Sequence, residues 1–166
     1  MEGEVAANRI SLRTLLADAE FVGADDICVG HSTDDPRAVH DGDVFVAPSD
    51  PRVDLEAAVA TALQLGARAV VASRPLVNCP VPVCYVTDVR DALGRICQAA
   101  AGEPSRRVKT IGVAGSFGKT TTGYLVASVL SAAGRTPGVL GSLGYADGRE
   151  VADARWTTPP PTVLAG

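Results

Sequence analysis

The run Gly115-Ser116-Phe117-Gly118-Lys119-Thr120-Thr121 combines residue types that can hold a polyphosphate. Glycine lets a backbone turn tightly and bring its N–H groups close to phosphate oxygens with no Cβ in the way. N–H groups at a helix N-terminus, reinforced by the helix dipole, point at an anion. Lys119 is placed to act as a point charge against β- and γ-phosphates. The Thr120 hydroxyl is the group that reaches Mg²⁺, and Thr121 can donate to a phosphate oxygen. The spacing is G-x-x-G-K-[ST]-T, shorter than the general G-x-x-x-x-G-K-[ST], whose first glycine would fall on Val113. A glycine turn beside a solvated lysine is the alternative, and the flanking pattern argues against it. Further on, Thr157-Thr158 precedes three prolines, 159–161, a stiff hydroxyl-bearing segment that also reads as a plain proline-rich linker.

The elements that must position these residues follow from apolar periodicity and punctuation. Thr110 to Ala114 reads as a strand entering the loop, and 119–133 as the helix leaving it. That helix carries an apolar stripe of Leu125, Val126, Val129, Leu130 and Ala133, and Gly134 closes it. Residues 137–140 read as a further strand, and about 25 loop-like residues follow. Upstream, Ser11 caps a short helix with Leu12, Leu15 and Leu16; 27–29, 44–46 and 69–72 read as strands. Residues 53–65 read as a helix ended by Gly66. Val81 to Val86 reads as a strand whose prolines, 80 and 82, suggest an edge or a strand start. Asp88 caps a helix to about Ala101, and 102–107 read as a linker. Strand–helix alternation predicts an α/β protein with a mostly parallel sheet built by right-handed crossovers. The expected organisation is a small N-terminal α/β domain, 1–106, followed by the incomplete start of a phosphate-loop α/β domain, 107–166.

Composition bounds the partners. Hydrophobic residues make up 46% of the chain and the formal net charge is −4. An acidic chain whose densest basic cluster is Arg106, Arg107 and Lys109 does not suit a nucleic-acid partner. No apolar stretch is long enough to span a bilayer. The four cysteines, Cys28, Cys79, Cys84 and Cys97, form no C-x-x-C pair, and with only two histidines a zinc site of that kind is not expected. Scattered thiols without a secretion signal suit a cytoplasmic protein. His31 and His40 flank a loop, nothing gives either a partner for catalysis, and both read as surface residues.

Taken together, the motifs resemble the Mur ligases of bacterial peptidoglycan synthesis, and the MurE type in particular. The phosphate loop is similar to that family's G-x-x-G-K-T-T. So is Gly138-Val139-Leu140-Gly141-Ser142-Leu143-Gly144-Tyr145, followed downstream by Thr157-Thr158-Pro159. Arg37, Val39, Gly42, Asp43 and Phe45 to Ala47 look like the uridine-domain signature D-S-R-x-V-x-x-G-D-x-F-V-A. The resemblance implies an ATP-dependent ligase that joins an amino acid to UDP-N-acetylmuramoyl-L-Ala-D-Glu through an acyl phosphate, in a pathway tied to cell shape and division. It implies ATP and Mg²⁺ on 115–121, with Lys119 catalytic and Thr120 at the metal. It implies substrate contacts from Asp35, Arg37, Thr157 and Thr158, and a monomer when full length. Three positions depart from the family. Pro36 replaces the serine of D-S-R, residues 50–55 replace a G-H-x-x-D-G loop and keep only Asp54, and Pro160 replaces a glutamate. The 166 residues alone are expected not to complete ligation. A non-catalytic or divergent nucleotide-sugar binding module, a MurF-like ligase, and a generic phosphate-loop switch stay open as alternatives.

Overall fold

A computed structural model describes residues 9–148, 150–156 and 158–164. It divides into two compact units after Arg107. In chain order the first unit contains β1 (Ile10–Ser11), α1 (Leu12–Leu15), β2 (Glu20–Val22), β3 (Cys28–Val29), β4 (Ser32–Thr33), β5 (Val44–Val46), α2 (Leu55–Gln64), β6 (Ala69–Ala72), β7 (Val83–Tyr85) and α3 (Val89–Ala100), then a 3₁₀ turn at Pro104–Arg106. The second contains α4 (Lys119–Ala132), β8 (Val139–Gly141), β9 (Gly144–Ala146), β10 (Val151–Ala152) and α5 (Pro161–Leu164).

The first unit is built on a five-stranded sheet of order β2-β7-β6-β5-β4. Strands β4 to β7 run parallel, and β2 pairs antiparallel with β7. Both faces of this sheet are covered, and alternation sorts the side chains between them. Val44, Val46, Ala69, Val71 and Cys84 face one core with Leu12, Leu16 and the α3 residues Val89, Leu93 and Ile96. Phe45, Val70, Ala72 and Val83 face the other with the α2 residues Ala58, Val59 and Ala62. Double burial explains why β5 and β6 read as unbroken apolar runs. The helices start where side chains replace missing backbone acceptors. Thr14 N–H donates to Ser11 Oγ, Ala57 N–H to Asp54, and Arg90 and Asp91 N–H to Asp88. Gly66, after α2, has φ +99°, and a Cβ there would lie 2.9 Å from the Asp41 backbone, so only glycine fits this close approach.

One reading narrows here, and three strands were not foreseen. The prolines before Val83 mark the start of β7 and not an edge, because β7 is paired on both sides. Its ladder begins just past Pro82, where a missing N–H costs nothing. Strands β1, β2 and β4 are two or three residues each, too short to give a periodic signal.

In the second unit the helix forms as its pattern predicts, but the strand before it does not. Residues 110–114 carry no strand assignment, and Ile111 is exposed. Extended backbone becomes a strand only by pairing, and no described segment pairs with it. Strand β8 instead pairs antiparallel with β9, and β9 with β10. The expected strand–helix–strand crossover is thus a helix followed by an antiparallel meander, and the stretch read as loop holds β9, β10 and α5. The stripe on α4 is only partly covered: Val126 and Leu130 are half-buried, Leu125 and Val129 are exposed, and no residue of the helix is fully buried.

Candidate functional site

Gly118 sits at the N-cap of α4 with φ +75°, a left-handed conformation that a β-substituted residue adopts only with strain. Nothing lies within 4 Å of the position a Cβ would take there. Glycine is therefore required by backbone conformation, and it leaves the space above the first turn open. Among the described residues no side chain caps this helix end, so the leading N–H groups of α4 keep their donors free of side-chain partners there. Residues 114–119 are all exposed, and Phe117 stands almost wholly in solvent at 96% exposure. Lys119 Nζ donates to Gly115 O at 2.7 Å, which holds the ammonium over the loop. The Thr120 hydroxyl lies 3.4 Å from the Ser142 hydroxyl, at the turn between β8 and β9. Gly115, Ser116, Gly118, Lys119, Thr120 and Thr121 thus form one open, donor-rich rim.

The later motif is tied into the same unit by Tyr145, whose role the sequence does not reveal. The Trp156 N–H donates to Tyr145 Oη at 2.9 Å, and that hydroxyl donates back to the Trp156 carbonyl. The Arg155 guanidinium stacks over the Trp156 ring, 5.0 Å from its centre. This clamp anchors β9 to the start of the proline segment. Thr158 is exposed beyond it, Pro159 is buried, and Thr157 lies outside the described residues.

In the first unit, the loops leaving the C-terminal ends of the parallel strands collect charged residues. The loop after β4 carries Asp35 and Arg37, and Arg37 N–H donates to Asp35 Oδ1 at 2.9 Å in a tight turn. The loop after β5 carries Asp50, which pairs with Arg52 at 2.6 Å. Asp50 is held below the usual carboxylate range by the Arg52 side chain first, and the charges of Arg90 and Arg74 act in the same direction. Arg74 follows β6, and its Nε and Nη2 are buried with no hydrogen-bond partner among the described residues. Buried guanidinium donors without acceptors are costly and mark a place for an anion. Nothing in the spacing of Arg74 or Arg90 singles them out in the sequence; only sheet order brings them to the edge where ligands of open α/β sheets gather.

His31 and His40, read as surface residues with no partner for catalysis, are both exposed, and each has an acidic neighbour that the sequence does not reveal. Both aim Nδ1 at the Asp43 carboxylate, at 3.0 and 3.6 Å.

No family profile matches the chain. It is 38% identical over 123 residues to the UDP-N-acetylmuramoyl-L-alanyl-D-glutamate–2,6-diaminopimelate ligase of Aquifex aeolicus, covering 74% of the chain and 25% of that protein. It is 38% identical over 129 residues to the UDP-N-acetylmuramyl-tripeptide synthetase of Roseiflexus, covering 75% of the chain and 25% of the relative. The chain therefore spans about a quarter of the length of these curated relatives. Among solved structures, a UDP-N-acetylmuramoylalanyl-D-glutamyl-2,6-diaminopimelate–D-alanyl-D-alanyl ligase from Acinetobacter baumannii superposes with a TM-score of 0.55 at 26% identity, covering 78% of the chain and 30% of that structure. A UDP-N-acetylmuramoyl-L-alanyl-D-glutamate–2,6-diaminopimelate ligase shares the fold over 95% of the chain and 32% of its own length, with a TM-score of 0.69 at 22% identity.

Proposed function

The chain is a homologue of the Mur ligases, with MurE-type enzymes among its relatives, and from that premise we propose that it supplies the ATP-phosphate and UDP-substrate contacts of a cytoplasmic ligase. The ligase adds an amino acid to UDP-N-acetylmuramoyl-L-Ala-D-Glu. The observation that carries this reading is the uncapped, exposed N-terminus of α4, with Gly118 in a left-handed conformation and the Lys119 ammonium held beside it.

The groups present fit a magnesium triphosphate. Amide donors of the first turn and the Lys119 charge complement phosphate oxygens, and the Thr120 hydroxyl suits the hard cation. Bound there, Mg-ATP would supply the phosphoryl group that activates the substrate's terminal carboxylate. The chain's own work is charge control: amides and Lys119 lower the repulsion between polyphosphate and carboxylate so that the two anions can approach. In the first unit, the orphaned Arg74 donors, with Arg90 in the first turn of α3 and Arg37 in the loop after β4, suit the diphosphate of the UDP-substrate. By the family resemblance, Thr157 and Thr158 are also assigned to substrate binding. The amino-acid site and the ligation step itself rest on parts of a longer enzyme.

Isothermal titration tests both sites separately. Mg-ATP and UDP-N-acetylmuramoyl-L-Ala-D-Glu are titrated into the chain and into a full-length ligase that carries it. Lys119→Ala removes charge-assisted bonds of about 1.5–3 kcal/mol, a loss of roughly ten- to a hundredfold in ATP affinity. The dipeptide titration is expected to be unchanged. Equal ATP affinity in the wild type and Lys119→Ala would remove the basis of the reading.

A further inference from the structure

We propose that His31, His40 and Asp43 form a binding site for a borderline divalent transition metal such as Zn²⁺, on the edge of the first unit's sheet opposite the charged loops. The three ligand atoms lie within 4.8 Å of one another. Two imidazole nitrogens and one carboxylate oxygen are the donor set of open, catalytic-type zinc sites, in which the remaining position is left to water. In a tetrahedral site with bonds of about 2.0–2.1 Å, ligand atoms are roughly 3.3 Å apart. The two histidine-to-carboxylate distances, 3.0 and 3.6 Å, bracket that value. The rings meet at 70° with centroids 6.2 Å apart, so they converge on the carboxylate and do not stack.

Backbone order explains why the three come together and stay there. Strands β4 and β5 are parallel with Ser32 beside Val44, so the residue before each strand falls next to the other: His31 beside Asp43. Val44 N–H donates to His31 O, and Arg68 N–H donates to Asp43 O, fixing both main-chain positions. The turn 40–43 closes on itself, with His40 N–H donating to Asp43 Oδ2 at 2.8 Å and Asp43 N–H to His40 O. The Asp43 side chain is 8% exposed, while those of His31 and His40 are 64% and 82% exposed. A rigid, buried carboxylate thus stands under two accessible imidazoles, and little ordering remains to be done when an ion arrives. Bound metal would join the short edge strand β4 to β5 more firmly.

The test uses the untagged chain with Co²⁺ and Zn²⁺ as probes. One Co²⁺ per chain is expected, with a visible spectrum of nitrogen and oxygen ligation that Zn²⁺ displaces. His31→Ala and His40→Ala alter exposed side chains, so folding should survive, and circular dichroism checks it. Each is expected to weaken Zn²⁺ binding at least tenfold and to abolish the rise in Tm that Zn²⁺ gives the wild type. Three results would overturn the proposal: no saturable binding, affinity unaltered in both histidine variants, or thiolate-to-cobalt charge transfer showing that cysteines hold the ion.

Discussion

At the scale of single residues, the same residue type behaves differently according to what surrounds it. Cys84 is fully buried on β7, and its thiol is pushed up to about 11, first by loss of hydration and then by the charge of Asp26. Cys97, buried on α3, is also shifted upward, mainly by burial. Cys28 is exposed on β3. The thiolate is the reactive form, and raising the thiol's pKa reduces it at neutral pH. Brief alkylation with iodoacetamide at pH 8, read by mass spectrometry, should label Cys28 and leave Cys84 and Cys97 untouched. All three should label once the unit is unfolded in urea. Labelling of Cys84 in the folded chain at the rate of Cys28 would contradict the packing described. The spacing of the cysteines excludes a paired metal motif, but it does not say which of them are inside.

At the scale of elements, caps carry more information than periodicity. Asp88 accepts hydrogen bonds from Arg90 N–H at 2.8 Å and Asp91 N–H at 3.2 Å, satisfying two donors that α3 leaves unpaired. Asp88→Ala is expected to cost about 1 kcal/mol. Urea denaturation followed by circular dichroism should show a lower midpoint with an unchanged m-value. Asp88→Asn, which keeps an accepting oxygen, should recover most of the loss. A midpoint for Asp88→Ala equal to that of the wild type would mean that the cap is idle. Ser11 before α1 was readable in the same way, because a cap is a local event in sequence; Asp54 was read as part of a helix from 53 and is instead the cap of α2. The strand expected at 110–114 does not form, since its apolar residues satisfy the pattern while pairing depends on a neighbour elsewhere.

For the whole molecule, burial divides the chain unevenly. The first unit buries both faces of its sheet, whereas no residue of α4 is buried. Hydrogen exchange follows local opening, and opening is easiest where little apolar surface is held in place. Amides of β5 and β6 should therefore exchange last, and those of α4 should exchange more than about tenfold faster, corresponding to about 1.4 kcal/mol less in opening free energy. Exchange measured by mass spectrometry on the untagged chain checks this. Equal protection of α4 and β6 would show that the helix is covered in solution.

The sequence by itself determined the α/β class, the principal helices with their caps, and the phosphate-loop motif with its glycine and lysine. Each depends on residues close together in the chain, where stereochemistry and hydrogen bonding act over a turn or two. Only the tertiary structure decided that β7 is internal, that Arg74 is left with unpaired buried donors, and that His31 meets Asp43 across two parallel strands. Those facts arise from strand order and register, which join residues distant in sequence and leave no local periodic trace.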